Sequence, residues 1–283
     1  MIEYYQTMAK FSIIIPTRDR TKLLNICLYH ISIQSFKDFE VIIINDSNKK
    51  LFIYNFNLDI KIIESNKQKG PGFSRNIGFL NINSNYAALI DDDCFVHKDW
   101  AFYIKKNIID KNLDCVKGKV IFNGKNILKK YVNLQLWGYN SYSDFSSSCN
   151  VILKKEITKK FKFNEKFTFA FEDVDFFERV NKQYKIYFDS KIKLLHYGKT
   201  KLNNIFSTYF KYGQGNFIYK KINNSNIKSE SFFKKYKKQL NNYLKGLEKS
   251  FIFYKYAILL YFITIDIIKI LHYKLGYYYE KHK

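Results

Sequence analysis

Short, predominantly apolar runs recur along the first third of the chain, and segments of helical periodicity lie among them. The runs are KFSIII (10–15), FEVIIIND (39–46), IKIIES (60–65) and YAALI (86–90). Continuous apolar runs of this length indicate strands that are buried on both faces. Residues 20–34 and 70–82 carry apolar side chains at helical spacing. This alternation predicts an α/β fold with a doubly wound, mostly parallel sheet flanked by helices.

Polar residues stand where three of these runs end. The segments are PTRDR after the first run, NDSN at the end of the second and DDDC after the fourth. Ligands of doubly wound sheets bind at the carboxyl ends of the strands. Three adjacent carboxylates repel one another, so Asp91, Asp92 and Asp93 form either a solvated turn or a site for a divalent cation.

The remaining elements are less regular. Residues 114–122 and 147–154 predict strands, 171–183 predicts a helix that begins in acidic residues, and YKIYFD and KIKLLHYG predict two further strands. Residues 123–146 show no clear period, which indicates a variable loop.

Charge is distributed unevenly over the 283 residues. The formal net charge is +23, and residues 199–283 hold 17 lysines and no arginine against 4 acids, a net of +13. Such a basic region favours contact with an anionic membrane surface or with nucleic acid. Base readout depends largely on arginine, and only four of the 48 basic residues are arginines. We therefore expect no specific nucleic-acid binding.

The four cysteines show no C-x-x-C spacing. We interpret them as reduced thiols of a cytosolic protein and expect no zinc site. The N-terminal residues lack the order of charges and apolar residues of a signal peptide, so no export is expected.

Two helices are predicted after residue 200. Residues 231–251 place apolar side chains on one face and lysines on the other. Residues 251–271 are more apolar, with charges only at Lys255, Asp266 and Lys269. We favour a helix that lies in the membrane interface; a spanning or re-entrant helix and ordinary core packing remain as alternatives.

Seven segments, taken in chain order over residues 10–198, resemble the family 2 glycosyltransferases of the GT-A fold, a nucleotide-diphospho-sugar transferase superfamily. They are SIIIPTRDR, FEVIIINDSN, NKQKGPGFSRNIG, AALIDDDC, SCNVILKKEI, FAFEDVDFFERV and LLHYG. The resemblance implies a GT-A catalytic domain at 1–200, with a nucleotide-sugar half near 10–95 and an acceptor half near 96–200. Residues 201–283 would form a basic helical region that associates with the membrane.

The resemblance also implies which residues bind the donor and its cation. Asp93 and Asp91 would coordinate Mn²⁺ or Mg²⁺, with His196 as a further ligand or else a buried structural histidine. Asp92 would support the turn beside the nucleotide. The other expected donor-binding residues are Pro16, Thr17, Arg18, Asp46, Gly70 and Arg75.

For the acceptor side, the resemblance makes Asp173 the catalytic base and lets Glu172 contact the acceptor. Acidic residues at a helix N-terminus also stabilise the helix through its dipole. This is the alternative explanation for Glu172 and for Asp173. The Q-x-x-R-W motif of processive relatives is absent, so we expect single-sugar addition. Lys211 and Gln214, in the corresponding region, are candidates to close over the diphosphate.

These features predict a metal-dependent, inverting glycosyltransferase at the cytoplasmic face of the cell membrane. Its donor would be a UDP-sugar, and its acceptor a saccharide or lipid-linked sugar of surface polysaccharide or glycoconjugate synthesis. Two alternatives are a sugar-nucleotide nucleotidyltransferase and a non-catalytic basic adaptor for membranes or nucleic acid. The nucleotidyltransferase would require a glycine-rich loop after the first strand.

Overall fold

The computed structural model describes residues 10–122, 147–168, 170–197, 202–223 and 252–283. The predicted loop at 123–146 and the predicted helix at 231–251 lie outside these residues. The strands are β1 (Phe11–Thr17), β2 (Phe39–Asn45), β3 (Ile60–Glu64), β4 (Tyr86–Leu89), β5 (Cys94–Val96), β6 (Cys115–Phe122), β7 (Val151–Lys154) and β8 (Ile186–His196). The helices are α1 (Thr21–Ser32), α2 (Pro71–Leu80), α3 (Trp100–Ile104, continued by a π-helical segment Lys105–Ile109), α4 (Lys155–Lys160), α5 (Glu172–Asn181), α6 (Leu202–Asn223) and α7 (Ile252–Lys281).

Within the described residues the strands form one sheet in the order β3-β2-β1-β4-β7-β6-β8-β5. Strand β1 is parallel to β2 and β4, and β2 is parallel to β3. Strand β7 is antiparallel to β4 and β6, and β5 is antiparallel to β8. The α/β fold is confirmed, but the sheet is mixed rather than mostly parallel. Strand direction follows from the connection between strands, which an apolar pattern does not encode.

One further difference concerns the strands predicted from YKIYFD and KIKLLHYG. They form a single strand, β8, that runs through the half-buried Asp189 and the exposed Ser190. Backbone pairing therefore continues where the side-chain pattern is interrupted.

Alternate residues of the central strands enter two different cores, one on each face of the sheet. Ile13 and Ile15 of β1 pack in a core that includes the buried faces of α1 and α3, while Ile14 packs in a core with α2, α4 and α5. All seven residues of β1 are buried. The continuous apolar run thus has the two-sided burial that its sequence predicts.

Close packing fixes helix α2 against the sheet. A Cβ at Gly78 would lie 2.5 Å from Cγ2 of Ile14, so only glycine lets the helix approach β1 this closely. Arg75 lies one turn earlier on the same helix and is 3% exposed. The position of α2 therefore determines where this guanidinium meets the ends of the strands.

The described residues belong to two compact units. The first comprises residues 10–121, 147–168 and 172–197, and the second comprises Phe122, 170–171, 202–223 and 252–283. In the second unit α6 packs along α7, because Gly213 and Gly276 let the two backbones meet. A Cβ at either glycine would lie 1.9 Å from a carbonyl oxygen, of Tyr273 and Phe210 respectively.

Helix α7 buries one pair of opposite charges and exposes several apolar side chains. Asp266 and Lys269 are each 4% exposed and form an ion pair of 3.1 Å. The exposed apolar side chains are Leu260, Ile267, Leu271 and Leu275. None of the helices in the described part of the chain is long and apolar enough to cross a membrane.

Candidate active site

Three consecutive carboxylates follow β4, and each has a different environment. The backbone N–H of Cys94 donates to the carbonyl of Asp91 over 3.1 Å, which closes a tight turn around Asp92 and Asp93. Side chains from β1, α2 and β8, together with Arg20, then contact the turn. The structure therefore brings together residues that lie as far apart in the sequence as Thr17 and His196.

Asp92 is the most buried of the three, with no exposed surface. Thr17 Oγ1 donates to its Oδ2 over 2.7 Å, and Arg20 Nε donates to the same oxygen over 3.1 Å. Burial raises the pKa of Asp92 to about 7, against the opposing charge of Arg20. Asp92 thus ties β1 to the turn.

Asp93 lies between an arginine and a histidine. Arg20 Nη1 donates to Asp93 Oδ2 over 2.9 Å, and His196 Nε2 is 3.4 Å from Asp93 Oδ1. The backbone N–H of Tyr197 donates to the carbonyl of Asp93 over 2.9 Å, which holds the end of β8 beside the turn.

A buried guanidinium joins Asp91 to helix α5. Arg75 Nη2 donates to Asp91 Oδ1 over 2.8 Å, and Arg75 Nη1 donates to Glu172 Oε1 over 3.2 Å. Burial alone would raise the pKa of Asp91, but the charges of Arg75 and then His196 lower it below its usual value. Asp91 is therefore ionised at neutral pH.

Glu172 and Asp173 begin helix α5. Burial, and then the charge of Asp173, raise the pKa of Glu172 to about 7. Burial also raises the pKa of Asp173, although Arg75 opposes it. The N–H of Val174 donates to Asp173 Oδ1 over 2.9 Å. A pKa of about 7 lets Glu172 exchange a proton near neutral pH.

Asp46 follows β2 and organises the loop before α2. Its Oδ1 accepts from Ser65 Oγ over 2.6 Å, and its Oδ2 accepts from the N–H of Gly70 over 2.8 Å. Gly70 has φ of +97°, and a Cβ there would lie 2.4 Å from the carbonyl oxygen of Thr168. Both features require glycine at this position.

Two further expected donor-binding residues are Arg18 and Pro16. Arg18 is exposed and donates to Gln68 Oε1 over 2.7 Å. Pro16 is buried within β1, opposite Ile44. In the second unit, the candidate Gln214 is 7% exposed and donates to Glu280 over 3.2 Å.

Sequence reasoning gave no individual role to Arg20, Cys94 or Cys149. Arg20 belongs to the PTRDR segment and follows Thr17 by three residues, and both residues contact Asp92. Its place at the end of the first strand could have indicated a role in the site. The two cysteines are separated by 55 positions yet their sulfurs are 3.2 Å apart. No sequence spacing indicates such a contact.

Asp91, Asp93 and His196 are chemically suited to a divalent cation. Asp93 Oδ1 is buried and accepts no hydrogen bond from any residue that the structure describes. Such an oxygen is costly to bury unless a positive group satisfies it. Carboxylate oxygens suit both Mg²⁺ and Mn²⁺, and an imidazole favours the transition metal.

A comparison with protein-family models decides the classification. The model of Glycosyl transferase family 2 matches residues 12–172. This chain belongs to that family. The match runs from β1 to the first residue of α5, and the family resemblance found in the sequence motifs is confirmed.

Curated relatives align with only part of the chain. A GalNAc(5)-diNAcBac-PP-undecaprenol beta-1,3-glucosyltransferase of Campylobacter jejuni is 32% identical over 93 residues, 30% of either protein. The poly(ribitol-phosphate) beta-N-acetylglucosaminyltransferase TarS of Staphylococcus aureus is 27% identical over 133 residues, 42% of this chain and 22% of TarS. The glycosyltransferase GlyA of Streptococcus pneumoniae is 25% identical over 114 residues, 38% of this chain and 16% of GlyA. The matches thus span less than a third of each relative.

Solved structures share the fold over nearly the whole chain. TarS 1–349 of S. aureus in complex with UDP has a TM-score of 0.53 at 17% identity, covering 97% of this chain and 92% of that one. The mannosyltransferase PcManGT of Pyrobaculum calidifontis, in complex with GDP-Man and Mn²⁺, has a TM-score of 0.57 at 10% identity, covering 96% and 85%. Identities this low show the fold alone.

The bridge made by Arg75 leads to a stability prediction. Replacing Arg75 with Gln would leave the buried Glu172 and the partly buried Asp91 without their cation, and breaking a buried pair in this way costs about 3–5 kcal/mol. Urea denaturation should show this loss in the free energy of unfolding. The control is Lys105→Gln, which breaks the ion pair with Asp110, whose two side chains are 40% and 44% exposed, and should cost less. An equal cost for both variants would contradict the bridging role.

Proposed function

We propose that the chain is a cation-dependent, inverting glycosyltransferase that takes its sugar from a nucleotide-sugar. The observation that carries the proposal is the connection made by Arg75. One buried guanidinium contacts Asp91, in the expected cation site, and Glu172, beside the expected base. Arg75 would therefore connect the residues that activate the donor, at Asp91, with those that activate the acceptor, at Glu172.

The donor side would be formed by residues at the ends of β1, β2 and β4. Asp46 accepts hydrogen bonds that shape the loop up to Gly70, and Thr17 contacts Asp92. We propose that these residues and Arg18 border the nucleotide, and that uracil is the base. In support, TarS 1–349 of the same fold is described in complexes with UDP and with UDP-GlcNAc.

Asp91, Asp93 and His196 would hold Mn²⁺ or Mg²⁺. When bound, such a cation neutralises the charge that develops on a departing diphosphate. Among this chain's own residues, Arg20 keeps Asp93 in position through Oδ2 and leaves Oδ1 directed toward His196. A hard cation would therefore meet preorganised oxygen ligands.

On the acceptor side, Asp173 would serve as the general base. The acceptor oxygen forms a bond to the anomeric carbon as the bond from that carbon to the diphosphate oxygen breaks, and the hydroxyl proton moves to Asp173. The raised pKa of Asp173 suits it to this transfer. Glu172, fixed by Arg75, would orient the acceptor.

For the acceptor and the place of action, we propose a saccharide or lipid-linked glycan at the cytoplasmic membrane face. The name of the C. jejuni relative includes an undecaprenol-linked substrate, and that of TarS a poly(ribitol-phosphate). Residues 201–283 would attach the enzyme to the anionic lipid surface. The exposed apolar residues of α7 and the net charge of +13 over residues 199–283 support this attachment.

The cation site predicts different effects for neighbouring aspartates. Asp93→Asn should weaken Mn²⁺-dependent binding of UDP by at least about 10-fold, because an amide oxygen replaces a charged ligand. Asp92→Asn retains an acceptor oxygen for Thr17 but loses the charge that pairs with Arg20. It should therefore lower the melting temperature while the affinity for UDP stays within a few-fold of the wild type. Titration calorimetry with and without Mn²⁺ measures both. Equal UDP affinities in the two variants would count against this site.

The proposed base predicts a separation of binding from turnover. Asp173→Asn keeps the size of the side chain but removes its ability to take a proton, so transfer should fall by at least about 100-fold. Binding of the UDP-sugar and Mn²⁺ should be unchanged. The control is Asp175→Asn on the same helix, which breaks the pair with Arg179 and should retain transfer. If Asp173→Asn transfers within a few-fold of the wild type, another residue is the base.

The exposed face of α7 predicts binding to lipid. The double variant Ile267→Glu/Leu271→Glu should reduce sedimentation with anionic vesicles by at least about 10-fold, because each apolar side chain buried in the interface contributes about 1.5–3 kcal/mol. Leu80→Glu is the control, since Leu80 is 75% exposed on α2 of the first unit. Unchanged sedimentation of the double variant would exclude this face as the attachment site.

A further inference from the structure

Two thiols, an imidazole and a carboxylate meet beside the acidic turn. One ligand atom from each of Asp91, Cys94, Cys149 and His196 lies within 4.8 Å of the corresponding atoms of the other three. The sulfurs of Cys94 and Cys149 are 3.2 Å apart. Both cysteines are free thiols and buried. The set mixes soft sulfur and nitrogen ligands with one hard oxygen, unlike an all-oxygen site.

Backbone structure fixes these four residues relative to one another. The turn from Asp91 to Cys94 is closed by a backbone hydrogen bond of 3.1 Å. Cys94 of β5 lies directly opposite His196 of β8 in an antiparallel pair, and directly paired residues point to the same face of a sheet. Three of the ligands therefore come from one turn and the strand pair next to it.

Cys149 is positioned by the residue that follows it. Asn150 has φ of +63° and is completely buried. Its Oδ1 accepts from Trp100 Nε1 over 2.8 Å, and its Nδ2 donates to the carbonyls of Lys119 and Ile192 over 3.0 Å each. Asn150 thereby connects three elements of the first unit, so the sulfur of Cys149 is held by a rigid frame.

We propose that Asp91, Cys94, Cys149 and His196 form a binding site for a thiophilic divalent cation of the Zn²⁺ class. Zinc is bound in proteins by four ligands of these types at about 2.0–2.3 Å, which places the ligand atoms about 3.3–3.8 Å apart. The widest separation in the set, 4.8 Å, exceeds this by about 1 Å, and the sulfurs at 3.2 Å would open slightly. Rotation of the partly exposed Asp91 and His196 side chains would make up this difference. Each thiol that coordinates releases its proton to solvent.

This site overlaps the proposed Mn²⁺ or Mg²⁺ site without being identical to it. Asp93 belongs only to the hard-cation site, and the two cysteines belong only to the soft one. Asp91 and His196 are shared. Zinc bound to the thiolates would draw both shared residues away from the donor site, so it would inhibit transfer; this consequence rests on the proposed function, whereas zinc binding itself does not.

Cobalt(II) tests the proposal directly on the unmodified chain. The full chain is stripped of metal with a chelator, kept reduced with a phosphine and titrated with Co²⁺, which adopts zinc geometry and absorbs strongly when bound by thiolate. We expect a thiolate-to-cobalt charge-transfer band that saturates at one equivalent and is displaced by one equivalent of Zn²⁺. Cobalt binding without that band would overturn the proposal, because it would place the ion on carboxylate and imidazole alone.

Variants identify the sulfurs. Cys94→Ala and Cys149→Ala should each weaken the band and reduce Zn²⁺ affinity by more than about 100-fold, since even outer-shell partners of a metal site are worth about 10–100-fold. Cys115→Ala is the matched control, because Cys115 is a buried thiol of β6 outside the set, and it should bind like the wild type. Wild-type affinity in the Cys94→Ala/Cys149→Ala double variant would refute the site.

The two proposals are tested separately. If no transfer activity is found, the thiolate-to-cobalt band still tests the zinc site. If the band is absent, transfer in the presence of Mn²⁺ still tests the proposed transferase activity. Should both hold, Zn²⁺ at one equivalent per chain is expected to reduce Mn²⁺-dependent transfer by at least about 10-fold, and excess chelator selective for zinc should restore it. Undiminished transfer by a chain that has bound one equivalent of zinc would contradict the shared use of Asp91 and His196.

Discussion

The buried guanidinium of Arg75 is the contact on which the arrangement of the acidic residues depends. It donates to Asp91 at the end of β4 and to Glu172 at the start of α5, from a helix that Gly78 holds against β1. A buried cation must be paired, and so must each of these acids. The side chain therefore joins the parallel half of the sheet to helix α5 and places its positive charge between two acidic side chains.

Arg20 has the same effect on the other two aspartates. It contacts Asp92 and Asp93 together, and Thr17 adds a hydrogen bond to Asp92. Three adjacent carboxylates thus persist beside an apolar strand because two arginines from different parts of the chain meet them. The same pairing leaves Asp93 Oδ1 without a hydrogen bond among the described residues. This environment is expected of an oxygen that coordinates a cation.

Much of the fold and part of the site could be predicted from the residues. The apolar runs predicted the four parallel strands, and Arg20, among the polar residues after the first of them, contacts Asp92 and Asp93. Strand direction in the second half was not predictable, because the connections that set it carry no apolar period. The orientation of α7 was also unpredictable: Asp266 and Lys269 satisfy each other inside the helix pair, which makes their burial tolerable.

By itself the sequence determined the family, the α/β class and the residue types at the strand ends, since periodicity and ordered motifs are local properties of a chain. Only the tertiary structure decided which charges neutralise which. Arg20 acquires its role by contact with residues more than seventy positions away, and Cys94 meets Cys149 across 55 positions. Contacts of this kind arise when distant segments pack, because burial forces each polar group to find a partner that its own segment does not contain.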